Sequence, residues 1–195
     1  MIVAAKYYFN DKPGKYIDTR YGDLLSEVFS AISQVDAEIH KTKEGREKTN
    51  TGKLLYSPRL LNAAYKEVLN SFSWYPHKFK CEYSAELYTD EYLTKYGNYI
   101  PKFKQATREI DFVKEKLGIE VQFGKYAFMA YDILGKMAIL NEMDVIDAGI
   151  EIVPVRRLTQ TMSTGVSYFE QIVCDLQNRG ASNLDIPVLI IGVDS

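Results

Sequence analysis

The chain has 195 residues, a formal net charge of −2, 46% hydrophobic and 26% charged residues; this is the composition of a soluble globular α/β protein with a real core, and the near-neutral total argues against a nonspecific DNA-coating protein. Two isolated cysteines, Cys81 and Cys174, and two scattered histidines, His40 and His77, exclude a disulfide framework, a cysteine-rich zinc module and a histidine metal site. No run approaches a transmembrane span and the N-terminus lacks a signal-peptide layout, so a reducing, cytoplasmic compartment is expected.

Ile2 to Phe9 reads as a first strand, followed by a turn signal at Asp11-Lys12-Pro13-Gly14. Leu24, Leu25, Val28, Phe29 and Ile32 recur at helical spacing and predict a helix from Tyr21 to Ser33. Thr42 to Gly52 is polar and glycine-punctuated, which predicts a loop or exposed turn. Ser57-Pro58 starts a helix, with serine as cap and proline in the first turn, and Leu60, Leu61, Ala64, Tyr65, Val68 and Leu69 continue it. Lys78 to Leu87 alternates weakly, as strands of a hairpin do. Asp90 to Thr107 is tyrosine-rich without a clear period.

The centre is more regular. Phe112-Val113 and Ile119 to Phe123 read as adjoining strands around a turn at Leu117-Gly118. Phe128 to Leu140 is apolar on nearly all sides, which predicts a helix buried in the core or in a subunit seam. Ala148 to Val153 is a strand, Ser167 to Asn178 an amphipathic helix, and Pro187 to Val193 a buried terminal strand. Without repeats or linkers, residues 1–195 are expected to form a single domain.

Charge is unevenly spread. Lys41 to Lys66 carries seven basic residues against two acidic, whereas Asp132 to Glu151 carries five acidic against Lys136 alone. Such blocks often only solvate a surface, and a basic stretch of this kind also suits a phosphate backbone.

The pattern that carries chemistry is Asp111 followed, nine positions later, by Glu120-Val121-Gln122. Alternate residues of a strand share a face, so Glu120 and Gln122 point the same way, and Asp111 joins them if the chain turns back. Oxygen donors of this kind suit a hard divalent cation, with Asp111 and Glu120 as ligands, the Val121 carbonyl as a further oxygen and Gln122 holding a water. That is an arrangement for metal-assisted phosphodiester hydrolysis. Residue by residue, an ordinary half-exposed strand edge reads the same way.

Ile110-Asp111-Phe112 and Glu120-Val121-Gln122-Phe123 together resemble the active-site segment of the BglII- and BstYI-type restriction endonucleases. These are members of the PD-(D/E)xK superfamily in which glutamine replaces the usual lysine. The resemblance, strongest to the BstYI type, extends through Asp36-Ala37-Glu38, Lys41-Thr42-Lys43-Glu44, Glu47-Lys48-Thr49, Leu55-Tyr56-Ser57-Pro58, Glu120 to Tyr126, Ala130-Tyr131-Asp132, Met162-Ser163, Gly165, Ser167-Tyr168 and Glu170. It implies a mixed β-sheet flanked by helices in the restriction-endonuclease-like α/β fold, a homodimer, Mg2+, and cutting of double-stranded DNA at a GATC-centred palindrome. It also implies a cognate DNA methyltransferase. Asp111, Glu120 and Gln122 become the catalytic set, with Asp111, Glu120 and Val121 on the metal.

Lys125 and Ser163-Thr164-Gly165 match the base-reading segments. Lysine can donate to guanine O6 and N7, and the pair looks more like a reader of RGATCY than of AGATCT. A phosphate contact is the bland alternative for Lys125. Asp36 and Glu38 are read as structural partners of nearby lysines. The competing functions are a catalytically silent DNA-binding relative and a nuclease of the same fold with another target.

Overall fold

The computed structural model describes residues 1–11, 15–48, 50–81, 86, 88–97, 106–178 and 186–195. The expected turn at 12–14 and most of the second half of the expected hairpin at 78–87 lie outside these residues. The chain divides into two compact units, residues 1–76 with 110–195, and residues 77–109.

Strand β1 (Ile2–Phe9) is followed by α1 (Lys15–Gln34), the short hairpin β2 (Lys43–Glu44) and β3 (Leu54–Leu55), α2 (Pro58–Ser71), β4 (Tyr75–Cys81) and α3 (Asp90–Tyr96). Then come β5 (Ala106–Lys114), β6 (Leu117–Val121), α4 (Tyr126–Tyr131), a π-helical turn (Asp132–Lys136), α5 (Met137–Glu142), β7 (Ala148–Pro154), α6 (Arg156–Thr159), α7 (Phe169–Asn178) and β8 (Val188–Asp194). Six strands form one mixed sheet in the order β1-β8-β7-β6-β5-β4. β6, β7 and β8 run parallel, while β1 and β5 pair antiparallel to β8 and β6. β7 and β8 are buried along their whole length, as strands covered on both faces must be.

In the larger unit one face of the sheet presents Leu117, Ile119, Val121, Ile150, Ile152, Leu189 and Ile191. These pack with the buried stripes of α1 (Ile17, Leu24, Leu25, Val28, Ile32) and α2 (Leu61, Tyr65, Leu69) in one core cluster. The opposite face meets the helical segment 126–142, whose Met129, Ile133, Met137 and Leu140 are fully buried. In the smaller unit Thr89 Oγ1 caps α3 by accepting from the Tyr92 N–H, and Tyr88, Tyr92 and Tyr96 line up with ring centroids 5.1 and 5.0 Å apart.

The mixed α/β architecture is as expected, and several local readings change. α1 is two helical pieces joined across a kink at Tyr21, whose φ of −125° and ψ of 24° are not helical; the expected helix from Tyr21 is the second piece, and a first piece from Lys15 precedes it. The cause lies outside the helix: Tyr16 N–H and Ile17 N–H donate to the two oxygens of Asp11, at 3.0 and 2.9 Å, satisfying helix-start groups that a sequence period cannot see. The turn between β5 and β6 is Glu115-Lys116, not Leu117-Gly118. Both residues have positive φ, 48° and 66°, the geometry of a tight two-residue hairpin. Leu117 and Gly118 pair in the ladder with Lys114 and Val113. Gly118 is needed there for space: a Cβ would lie 2.7 Å from Ile110 Cδ1.

The segment read as one all-round buried helix is two short helices joined by the π turn, in which Met137 N–H reaches back to Asp132 O. Phe128, Tyr131 and Ile139 stand on its exposed side. The segment Thr42 to Gly52 holds ladder structure, Lys43 opposite Leu55 and Glu44 opposite Leu54. α7 starts at Phe169, because Ser167 is buried in the preceding link, where its N–H and hydroxyl both donate to Gly124 O. No described helix is long and apolar enough to cross a membrane.

Candidate active site

Three adjacent strands place carboxylates in one row. Phe112 on β5 pairs with Ile119 on β6, and Ile119 with Ile150 on β7; all three point into the core cluster shared with α1 and α2. Side chains one position along a strand point to the other face. Asp111, Glu120 and Glu151 therefore share the face that meets the helical segment 126–142, and Glu120 and Glu151 are direct register partners. Val121 N–H donates to Asp111 Oδ2 at 3.0 Å, which fixes that carboxylate against the end of β6.

The π turn completes the cluster. A π turn carries one residue more than an α turn and is frequent at functional sites. Here it delivers Asp132 and Lys136 together. The Lys136 ammonium donates to Glu120 Oε1 at 2.7 Å and lies 2.7 Å from Asp132 Oδ1. Asp132 Oδ2 accepts from Gln122 Nε2 at 3.1 Å, and Gln122 Oε1 accepts from Gly124 N–H at 2.7 Å. A continuous chain of contacts thus runs from Glu120 through Lys136, Asp132 and Gln122 to the Gly124 backbone.

Burial dominates the electrostatics. Glu120, Asp132 and Glu151 are 4%, 3% and 0% exposed. Desolvation raises the Asp111 carboxyl above its ordinary range, with the Val121 N–H and the Lys136 charge pulling the other way. Glu120 is raised by burial and then by the charges of Asp111 and Asp132. Burial pulls Lys136 down, but Glu120 and Asp132 outweigh it and leave the ammonium above the lysine range. Glu151 is raised most plainly, by complete burial and then by Asp132 and Glu120, and neither of its oxygens has a hydrogen-bond partner. An orphaned buried carboxyl beside two further oxygen donors is the donor chemistry a hard divalent ion requires. Among the described residues no three such groups are arranged as a ready ligand cage.

The two expected base-reading segments are neighbours. Lys125 forms an isolated antiparallel bridge with Val166, directly after Ser163-Thr164-Gly165. Thr164 N–H donates to Glu47 Oε2 at 2.9 Å, Lys43 Nζ donates to Ser163 Oγ, and Asn50 Nδ2 donates to Met162 O at 3.4 Å. Lys43 of β2 and the Glu47 and Asn50 that follow it therefore brace this loop. Lys125, Thr164 and Gly165 are exposed. Asp36 accepts from Glu38 N–H at 3.0 Å, while Glu38 accepts from Tyr56 OH and lies 3.7 Å from Lys41. Both acids are engaged locally.

The restriction endonuclease BglII/BglIII family pattern matches residues 5–193. The chain belongs to the BglII/BglIII restriction endonuclease family. Among solved structures it is similar to restriction endonuclease BglII complexed with a DNA 16-mer, with a TM-score of 0.69, 16% identity, and coverage of 98% of this chain and 78% of that one. It is also similar to free BglII, with a TM-score of 0.57, 14% identity, and coverage of 98% and 79%. No curated protein matches. Membership makes this chain a nuclease, and the likeness to BglII confirms the fold.

Asp111, Glu120 and Gln122 thus come together on one face as their spacing predicted. Sequence reasoning missed Asp132, Lys136 and Glu151 as members of the cluster. The signal was present: Glu151 interrupts the apolar run Gly149-Ile150-Glu151-Ile152-Val153, and Asp132 and Lys136 interrupt an apolar helix four residues apart. An ionisable group is costly in such a setting, so each of these positions calls for a reason beyond packing.

Gly124 holds the Gln122 amide in place. An alanine Cβ there would lie 2.4 Å from Gln122 Oε1. Gly124→Ala therefore turns Gln122 away from Asp132, and nuclease activity is expected to fall about 10- to 100-fold, the usual loss when a supporting contact of a site is removed. Thermal melting and rate assays on the same preparation check this. A rate within twofold of the parent would show that the Gln122 orientation does not matter.

Proposed function

We propose that this nuclease is a type II restriction endonuclease that acts as a homodimer, uses Mg2+, and cuts both strands of double-stranded DNA at a GATC-centred palindrome, RGATCY. The observation that carries the reading is the convergence of Asp111, Glu120 and Gln122 on one sheet face with a buried carboxyl, Glu151, that lacks any partner.

Asp111, Glu120 and the Val121 carbonyl hold the metal in this reading. Bound Mg2+ supplies charge neutralisation at the phosphate and a more acidic water. The protein contributes positioning. Val121 N–H fixes Asp111, and Lys136 fixes Glu120. Gln122 spends one amide hydrogen on Asp132 and one lone pair on Gly124 N–H, which leaves its second N–H and second lone pair to align a water.

Lys125 reads guanine from the major groove, and Ser163, Thr164 and Gly165 approach the outer base pair or its phosphate. The braced basic segment 41–66 follows the DNA backbone. Phe128, 59% exposed, with Tyr131 and Ile139, gives the helical segment 126–142 an apolar outer side suited to a twofold seam. A palindromic cutter requires such symmetry, and its host requires a cognate DNA methyltransferase and a shared cytoplasmic location.

The test is cleavage of duplexes bearing AGATCT, GGATCC, AGATCC and GATC in other flanks, each with Mg2+ and with EDTA, followed by end sequencing. Metal-dependent cutting of the first three alone is the expected result. Cutting of AGATCT only would keep the chemistry and overturn the outer-base assignment to Lys125 and Thr164. Specific binding without cutting under any condition would establish a silent DNA-binding relative.

A further inference from the structure

The Glu120-Val121-Gln122 triplet has no positive charge of its own, yet the site holds a buried one. The Lys136 side chain is 12% exposed, an uncommon setting for a lysine, which tolerates burial only when paired. Its pairing is specific. It reaches Glu120 Oε1 and Asp132 Oδ1, each at 2.7 Å, and the other Asp132 oxygen grips Gln122. Lys136 thereby contacts one member of the expected catalytic set directly and another through a single intermediary. The π turn, rather than a regular helix, presents both Asp132 and Lys136 to the sheet.

An ammonium at that point has a consequence for metal binding. Glu120 and Asp132 are the carboxylates on which a second divalent ion beside Asp111 would draw, and Lys136 already pairs with both. A divalent ion placed there would have to displace a like charge. We propose that Lys136 is the resident cation of the site: it fills the second cation position between Glu120 Oε1 and Asp132, so that each protomer takes one divalent ion, bound through Asp111, the other Glu120 oxygen and the Val121 carbonyl, while Lys136 positions Glu120 and Gln122. This rests on the nuclease reading above and adds to it the number of metals and a positioning residue.

The experiment counts Mn2+ bound per protomer by electron paramagnetic resonance on the full chain, alongside cleavage of the preferred DNA. The parent protein is expected to bind one Mn2+. Lys136→Met is expected to bind two, because the vacated position regains its two carboxylates, and to cut DNA about 10- to 100-fold more slowly. Lys136→Arg keeps the charge and is expected to bind one Mn2+ and recover most of the lost rate.

A merely structural ion pair would leave the count at one in all three proteins, which would overturn the proposal. Two Mn2+ in the parent would overturn it whether or not Lys136→Met folds, and so would a Lys136→Arg protein that folds, binds one ion and is as slow as a rate-defective Lys136→Met. If the parent cuts DNA with two ions, only the Lys136 assignment fails. If the parent neither binds Mn2+ nor cuts DNA, the nuclease reading fails with it.

Discussion

Asp111→Ala and Glu120→Ala are each expected to lower the DNA cleavage rate by about a thousandfold or more, a barrier increase of about 4 kcal/mol, while binding of the specific duplex in Ca2+ stays within a few-fold of the parent. Asp111 stands at the β5 end of the strand row, fixed by the Val121 N–H, and Glu120 is its neighbour at the centre, on β6. Removing either deletes an oxygen donor that no other side chain replaces. The proposed binding surface lies elsewhere, on Lys125 and the 163–165 loop, which rests on Val166 and Glu47 rather than on either acid. Gel-shift and single-turnover cleavage on the same duplex separate the two effects. A variant that still cuts at the parent rate would move the chemistry away from this cluster.

Glu151→Met is expected to stabilise the metal-free protein. Glu151 is completely buried with both oxygens unpartnered, and such a group destabilises by about 1–3 kcal/mol. Methionine fills a similar volume without that penalty, so the melting temperature in EDTA at pH 8 should rise by roughly 2–8 °C. The pH dependence has a definite sign. Burial, and then the charges of Asp132 and Glu120, hold the folded Glu151 carboxyl well above its ordinary value of 4.5. The unfolded chain therefore loses this proton first as pH rises, and stability falls with pH above that ordinary value. The advantage of Glu151→Met should be small at pH 4 and grow toward pH 8. The same substitution should weaken Mn2+ binding, a loss of function in exchange for stability. A lower melting temperature than the parent at pH 8 in EDTA would mean that Glu151 has a stabilising partner in solution.

Sequence reading recovered much of this molecule because its signals are local. The strand runs of β1, β7 and β8, the helical periods of α1 and α2, and the pairing of Glu120 with Gln122 on one strand face all follow from backbone periodicity. Resemblance to the BglII and BstYI type rested on short polar motifs that keep their spacing within single loops and strands.

What escaped depends on groups distant in the chain. Asp11 starts α1 from outside the helix, and Glu115-Lys116 adopt positive φ without the asparagine or glycine that usually marks such a turn. The π turn was invisible because its one-residue register change conserves the apolar character of the segment. From the sequence alone follow the α/β class, the family and the shared face of Glu120 and Gln122, since spacing along a strand dictates which side chains share a face; the register of the β5–β6 hairpin then sets Asp111 beside Glu120. Only the tertiary structure set Glu151 opposite Glu120 and inserted Lys136 between Glu120 and Asp132, because strand order and helix register decide which distant charges must share one buried space.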